Sequence, residues 1–217
     1  MGVLHWIQSV LVLTHTVFTI VVETTKPNPA CATQMRSIKL ATMMERNSEE
    51  LLRTYVSRQG FFQNSCTGQV EGIPEALIAG DKPEERLLSM YTTLRVLHRL
   101  FITVREQQKD LLESDDPLRN MLLDAQTRVT HLTGNLKIIL TNVFPGVAIP
   151  PEHIPVPQPK ISYFKKKLYG CRVLTKYNEF LSKVVQELTD IRKYVCTAVE
   201  IKLTAKINLR LRFHAFR

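Results

Sequence analysis

The sequence predicts an all-α protein, a long-chain four-helix bundle with up-up-down-down topology and two long crossover loops. Three observations predict it. Four stretches repeat apolar residues at spacings of three and four, whereas strand signals are scarce. The connections between these stretches run long, short, long, and a long connection can return the chain along a full helix length. Four cysteines flank the first and fourth stretches, where antiparallel helices would bring them together.

The first stretch spans about Thr33 to Gln59, with Met35, Ile38, Leu51, Leu52, Tyr55 and Val56 as its apolar stripe. Its middle, Glu45-Arg46-Asn47, is polar, so the stripe is imperfect, and Gly60 supplies a C-terminal stop. The second spans about Pro83 to Glu113. Proline suits a first helical turn, and Glu84 and Glu85 complement the N-terminal dipole. Leu87, Tyr91, Leu94, Leu97, Phe101 and Val104 form its stripe. The third opens with Asp116 as N-cap and Pro117 at the first helical position. Leu118, Leu122, Ala125, Val129, Leu132, Leu136 and Ile139 then alternate spacings of four and three. The fourth runs from about Tyr163 past Cys196 on Leu174, Tyr177, Leu181, Val184, Leu188, Ile191 and Val195. Such seams suit near-parallel packing in a bundle.

About 23 residues, with Gly68, Gly72, Pro74 and Gly80, join the first two stretches. Only a few, around Ser114 and Asp115, join the second to the third. About 22 join the third to the fourth and hold six of the 11 prolines. In an up-up-down-down bundle the first and fourth helices are antiparallel. That arrangement selects Cys31–Cys196 and Cys66–Cys171 from the three possible pairings. One bridge with two free thiols is the alternative.

Residues 3–22 carry no charge, and three readings compete for them: a secretory signal, a membrane anchor and a buried helix. His5, Gln8, Ser9, Thr14, His15, Thr16 and Thr19 interrupt the run and weigh against an anchor. The signal peptide is preferred, although the usual basic start is missing. The expected organisation is a signal over 1–25 with cleavage between 22 and 30, a helical domain over 26–199 and a basic tail over 200–217. A secreted, extracellular, monomeric protein with disulfides is therefore expected, with no stable membrane insertion after signal removal. No N-x-S/T sequon is present.

The 217 residues, 44% hydrophobic and 23% charged, exclude a disordered or collagen-like chain. Catalysis has no foothold. HExxH, GxSxG, GxGxxG and the P-loop are absent. The six histidines are scattered, and none has a metal-ligand spacing to Cys, Asp or Glu. His98 and His131 read as helix-face residues, and Asp115 and Asp116 as capping rather than as a carboxylate pair. No catalytic residue, metal or cofactor is expected.

The fourth stretch begins YFKKKLYGCRVLTKYNEFL, and the first ends TYVSRQG. These resemble the matching helix start and helix end in the leukaemia inhibitory factor and ciliary neurotrophic factor subgroup of the interleukin-6-type cytokines. The resemblance extends over the mature chain in helix order and loop length. It implies a secreted growth-factor-like cytokine that brings together two receptor chains, of the leukaemia inhibitory factor receptor and glycoprotein 130 types, and so activates intracellular kinases. It also supports the Cys66–Cys171 bridge, while Cys31–Cys196 rests on bundle geometry. In this family an F-x-x-K motif at the start of the fourth helix is the core of the contact with the leukaemia inhibitory factor receptor. Phe164 and Lys167 match it, and three-residue spacing puts them on one helix face. An exposed aromatic beside a cation is a docking anchor. The plainer alternative folds Phe164 into the bundle end and leaves the lysines as a solvated face. The glycoprotein 130-type chain would meet exposed faces of the first and third helices.

Net charge is +9, which favours acidic partners. In the tail, Lys202, Lys206, Arg210, Arg212 and Arg217 meet few acids. Heparan sulfate or an acidic receptor face is one candidate partner. An amphipathic extension of the fourth helix, or a plain tail, is the other reading and is preferred. Apolar–basic alternation from Ile207 to Phe213 points to extended backbone there. Nucleic acid is not an expected partner. The alternative to a cytokine is a secreted basic helical module that binds glycans or other polyanions without receptor agonism.

Overall fold

The computed structural model describes residues 29–61, 63–68, 72–151 and 162–214, with backbone only at 63, 64 and 198–214. The expected signal over 1–25 and most of its cleavage region lie outside the described residues, as do 152–161. The described chain holds α1 (Pro29–Gln59), a 3-10 turn (Gln63–Cys66), α2 (Pro83–Lys109), α3 (Pro117–Val143) and α4 (Tyr163–His214), with no strand among the described residues.

Pairwise contacts define the topology. Arg58 of α1 lies 3.8 Å from Asp116 before α3, so the end of α1 meets the start of α3. Gln59 bonds Gln108 near the end of α2, so α1 and α2 run the same way. Arg105 donates to Gln126 at 2.7 Å across an antiparallel α2–α3 pair. Arg86 at the start of α2 pairs with Glu187, more than 20 residues into α4. The bundle is therefore up-up-down-down, with α4 antiparallel to α1 and α2. All four cysteines are paired. Cys31 joins Cys196 with Cα atoms 4.7 Å apart, and Cys66 joins Cys171 with Cα atoms 5.3 Å apart.

The stripes read for α2, α3 and α4 are buried throughout and meet in one core, where Phe101 packs edge-on against Tyr177 at 4.9 Å. Helix α1 differs. Its buried line is Ala30, Gln34, Ser37, Ala41, Met44, Ser48, Leu51, Tyr55 and Gln59, still spaced by threes and fours. Met35, Ile38 and Leu52, assigned to the stripe, are only half-buried. Polar residues fit this seam because α4 offers partners. Gln34 donates to the Leu188 carbonyl at 2.6 Å, and the Ser48 hydroxyl lies 2.6 Å from Asn178 Oδ1.

Three boundaries differ from expectation. Helix α1 begins at Pro29, not near Thr33, because proline is pre-set for the first helical position. Helix α2 ends at Lys109, not near Glu113. Gln108 is fully buried there, and its carbonyl accepts from Leu111 and Leu112, which closes the helix where the bundle ends. The backbone over Ile207 to Phe213 is helical, not extended. Residues 198–214 contain no Gly or Pro and are rich in Ala, Leu, Lys and Arg, so an existing helix propagates through them at little cost.

Asp116 caps α3, its carboxylate accepting from Leu118 N at 2.8 Å. The crossover before α2 is tied to α4 by Lys176–Glu75 at 3.1 Å and by Lys183 on the Ala76 carbonyl at 2.5 Å. The crossover after α3 crosses α2, where Arg95 donates to the carbonyls of Pro150 and Pro151, each at 3.0 Å.

Candidate functional site

The site lies at the bundle end where α1 and α2 finish and α4 starts. Helix α1 stops at Gly60, whose φ of +71° is left-handed. Gly60 N–H donates to Ser57 O at 3.2 Å, and Phe61 N–H donates to Val56 O at 3.0 Å, a Schellman closure. That closure fixes the direction of Phe61. Its ring meets Phe164 edge-on at 5.9 Å, next to a shallow groove lined by Leu52, Arg53, Val56 and Asn178. Phe61 was not singled out from the sequence. The signal available was an aromatic directly after a helix-stopping glycine.

Phe164 is 61% exposed and Tyr163 is 57% exposed, so Phe164 does not fold into the bundle end. Lys167 sits one turn on, with Nζ 5.0 Å from the Tyr163 ring centre. The same Nζ donates to the Gln59 carbonyl at 3.3 Å, placing a cation at the negative end of α1. Lys165 is exposed. Lys166 pairs with Asp110 at 2.5 Å, and this ammonium holds the Asp110 carboxyl below the usual carboxylate range. Aromatic surface is thus framed by cations at a fixed spacing.

A hydrogen-bond circuit, buried at its glutamines and partly buried at Lys167, holds this arrangement. Lys167 Nζ donates to Gln59 O, and Gln59 Nε2 donates to Gln108 Oε1 at 2.8 Å. Gln108 Nε2 donates to Tyr55 Oη at 3.1 Å, and Tyr55 Oη donates to Lys167 O at 3.0 Å. The circuit leaves Lys167 from its side chain and returns to its backbone, linking α1, α2 and α4. Burial pushes the Tyr55 hydroxyl well above the ordinary tyrosine range, against the opposing effect of Gln108, so it stays protonated and able to donate. Gly170 makes room for it. A Cβ at this position would lie 2.1 Å from Tyr55 Oη. Cys171, the next residue, bonds Cys66 and anchors the first crossover at the same end.

This arrangement suits recognition of a protein surface. Its aromatics supply area at low entropy cost and its cations match carboxylates. Among the described residues no cluster of His, Cys, Asp and Glu could hold a metal ion, and no helix is long and apolar enough to cross a membrane.

Four long helices joined by two long crossovers and one short loop make a long-chain four-helix bundle, an architecture shared by helical cytokines. The comparisons narrow this further. The ciliary neurotrophic factor family profile matches residues 23–206. The chain is 31% identical to ciliary neurotrophic factor of Gallus gallus over 147 residues, which cover 64% of this chain and 73% of that protein. The chain belongs to the ciliary neurotrophic factor family. It is a non-enzymatic signalling protein, and its partners are cytokine receptors.

Proposed function

We propose that this cytokine is secreted as a monomer after loss of residues 1–25, and that its 26–199 domain brings together two receptor chains. The leukaemia inhibitory factor receptor-type chain docks on Phe164 and Lys167. The glycoprotein 130-type chain docks on the outer faces of α1 and α3. Pairing outside the cell brings the receptor-bound kinases together inside it. The observation that carries this reading is the placement of Phe164, largely exposed at the start of α4 beside Lys167, in the family's F-x-x-K spacing. A large apolar ring held out of the core by an ordered helix gains most of its burial only when a partner covers it. Family membership favours receptor agonism over a polyanion-binding module without it.

Cells carrying each receptor chain alone, and both together, test the pairing. Conditioned medium containing the protein is expected to raise transcription-factor phosphorylation only in cells with both. An equal response with either chain alone would contradict it.

A further inference from the structure

The seam of α4 changes chemistry where the bundle ends. Val184, Leu188, Ile191 and Val195 are buried against the other helices. The three-four spacing continues without a break through Val199, Lys202, Lys206 and Arg210, but the residues become basic at Lys202. The helical backbone carries this repeat to His214. Helix α1 starts at Pro29, two residues before the Cys31–Cys196 bridge, so α4 continues about 25 Å past the start of its antiparallel neighbour. On that overhang Lys202, Lys206 and Arg210 follow one another at four-residue steps, about 6 Å apart along one face. Residues 191–217 hold seven basic residues and a single acidic one, so most of the chain's net +9 is concentrated there. The family match ends at residue 206, within this overhang.

We infer that this overhang is a docking site for a sulfated glycan of the heparan type, with Lys202, Lys206 and Arg210 as its charged line. A linear polyanion meets a row of cations on one helix face repeatedly along its length, and releases counterions as it does so. A lipid surface fits less well. Apolar residues alternate with polar ones from Val199 to Phe213, so on a helix they spread around the axis and form no single apolar face to insert. An ordinary solvated helix end would mix both signs of charge. The site lies at the opposite end of α4 from Phe164, so a glycan there leaves the proposed receptor surface open.

Heparin affinity of the full secreted protein tests this without any receptor, so the result stands apart from the receptor assignment. The variant K202Q/K206Q/R210Q keeps helix-forming side chains. Its affinity for heparin is expected to fall at least about tenfold near physiological salt, with a shallower dependence on salt concentration. The variant K39Q/R46Q/R53Q, altered at exposed positions of α1, removes the same charge and is expected to bind within about twofold of the parent. Circular dichroism establishes that both variants fold. Retained heparin affinity in the tail variant would overturn the site, and an equal loss in the α1 variant would reduce it to net charge. Stronger binding to phosphatidylserine vesicles than to heparin would make it a lipid contact. Equal competition by duplex DNA or by desulfated heparin would remove the sulfated glycan as its partner.

Discussion

Gly170→Ala is expected to destabilise the protein, although alanine is the better helix former by about 1 kcal/mol. The added methyl would fall 2.1 Å from Tyr55 Oη and 2.7 Å from Tyr55 Cζ. Tyr55 cannot swing aside, because it is fully buried and its hydroxyl bonds both Gln108 and the Lys167 carbonyl. Helix α4 must move away from α1 or the circuit must break, and either costs about 1–3 kcal/mol. Gly134 provides the opposite case. It lies inside α3 with open space around its Cβ position, so Gly134→Ala is expected to add about 0.5–1 kcal/mol. Denaturant unfolding of the two variants should therefore shift in opposite directions. G170A/Y55F removes the nearest atom and should recover part of the loss. If Gly170→Ala stabilised the protein like Gly134→Ala, the close packing of Tyr55 on α4 would be wrong.

Loss of the Cys66–Cys171 bridge is expected to reduce both stability and receptor binding. The bridge closes a sequence separation of 105 residues, a constraint worth about 2–4 kcal/mol. It also ties the chain just after Phe61 to the helix that presents Phe164. Cys31–Cys196 closes 165 residues and has a similar effect on stability, but lies at the other end of the bundle. Cys66→Ser/Cys171→Ser should thus lower the melting temperature and also weaken the contact at the start of α4. Cys31→Ser/Cys196→Ser should lower the melting temperature with little effect on that contact. Equal receptor affinity in both double variants would separate the Cys66–Cys171 bridge from the docking surface.

Large apolar residues made three of the four helices legible. Leu87 to Val104, Leu118 to Ile139 and Leu174 to Val195 repeat at helical spacing, and every residue named in those stripes is buried. Helix α1 was harder to read because Gln34, Ser37, Ser48 and Gln59 occupy core positions. Ser37 bonds the Thr33 carbonyl within α1, but Gln34, Ser48 and Gln59 bond α4 and α2 partners far away in sequence, which local pattern does not carry. Phe164 and Lys167 could be named from a motif. Phe61 could not, since only the closure around Gly60 turns it toward Phe164. The second bond of Lys167, to the end of α1, was hidden for the same reason. In the tail, alternation of apolar and basic residues has the period of a strand. The helix prevails there because a preceding helix and good helix formers outweigh seven residues of pattern.

Direct binding of the leukaemia inhibitory factor receptor-type ectodomain to the F164A/K167A variant tests the proposed docking surface most directly. Phe164 is mostly solvent-exposed, so its removal should cost little stability, while loss of the Lys167 bond to Gln59 O costs about 1 kcal/mol and leaves the bundle folded. Two anchor residues at about 2 kcal/mol or more each should weaken binding by over about 100-fold. Binding to the glycoprotein 130-type ectodomain should be unchanged. A folded F164A/K167A protein that binds the leukaemia inhibitory factor receptor-type ectodomain as tightly as the parent would contradict the assignment.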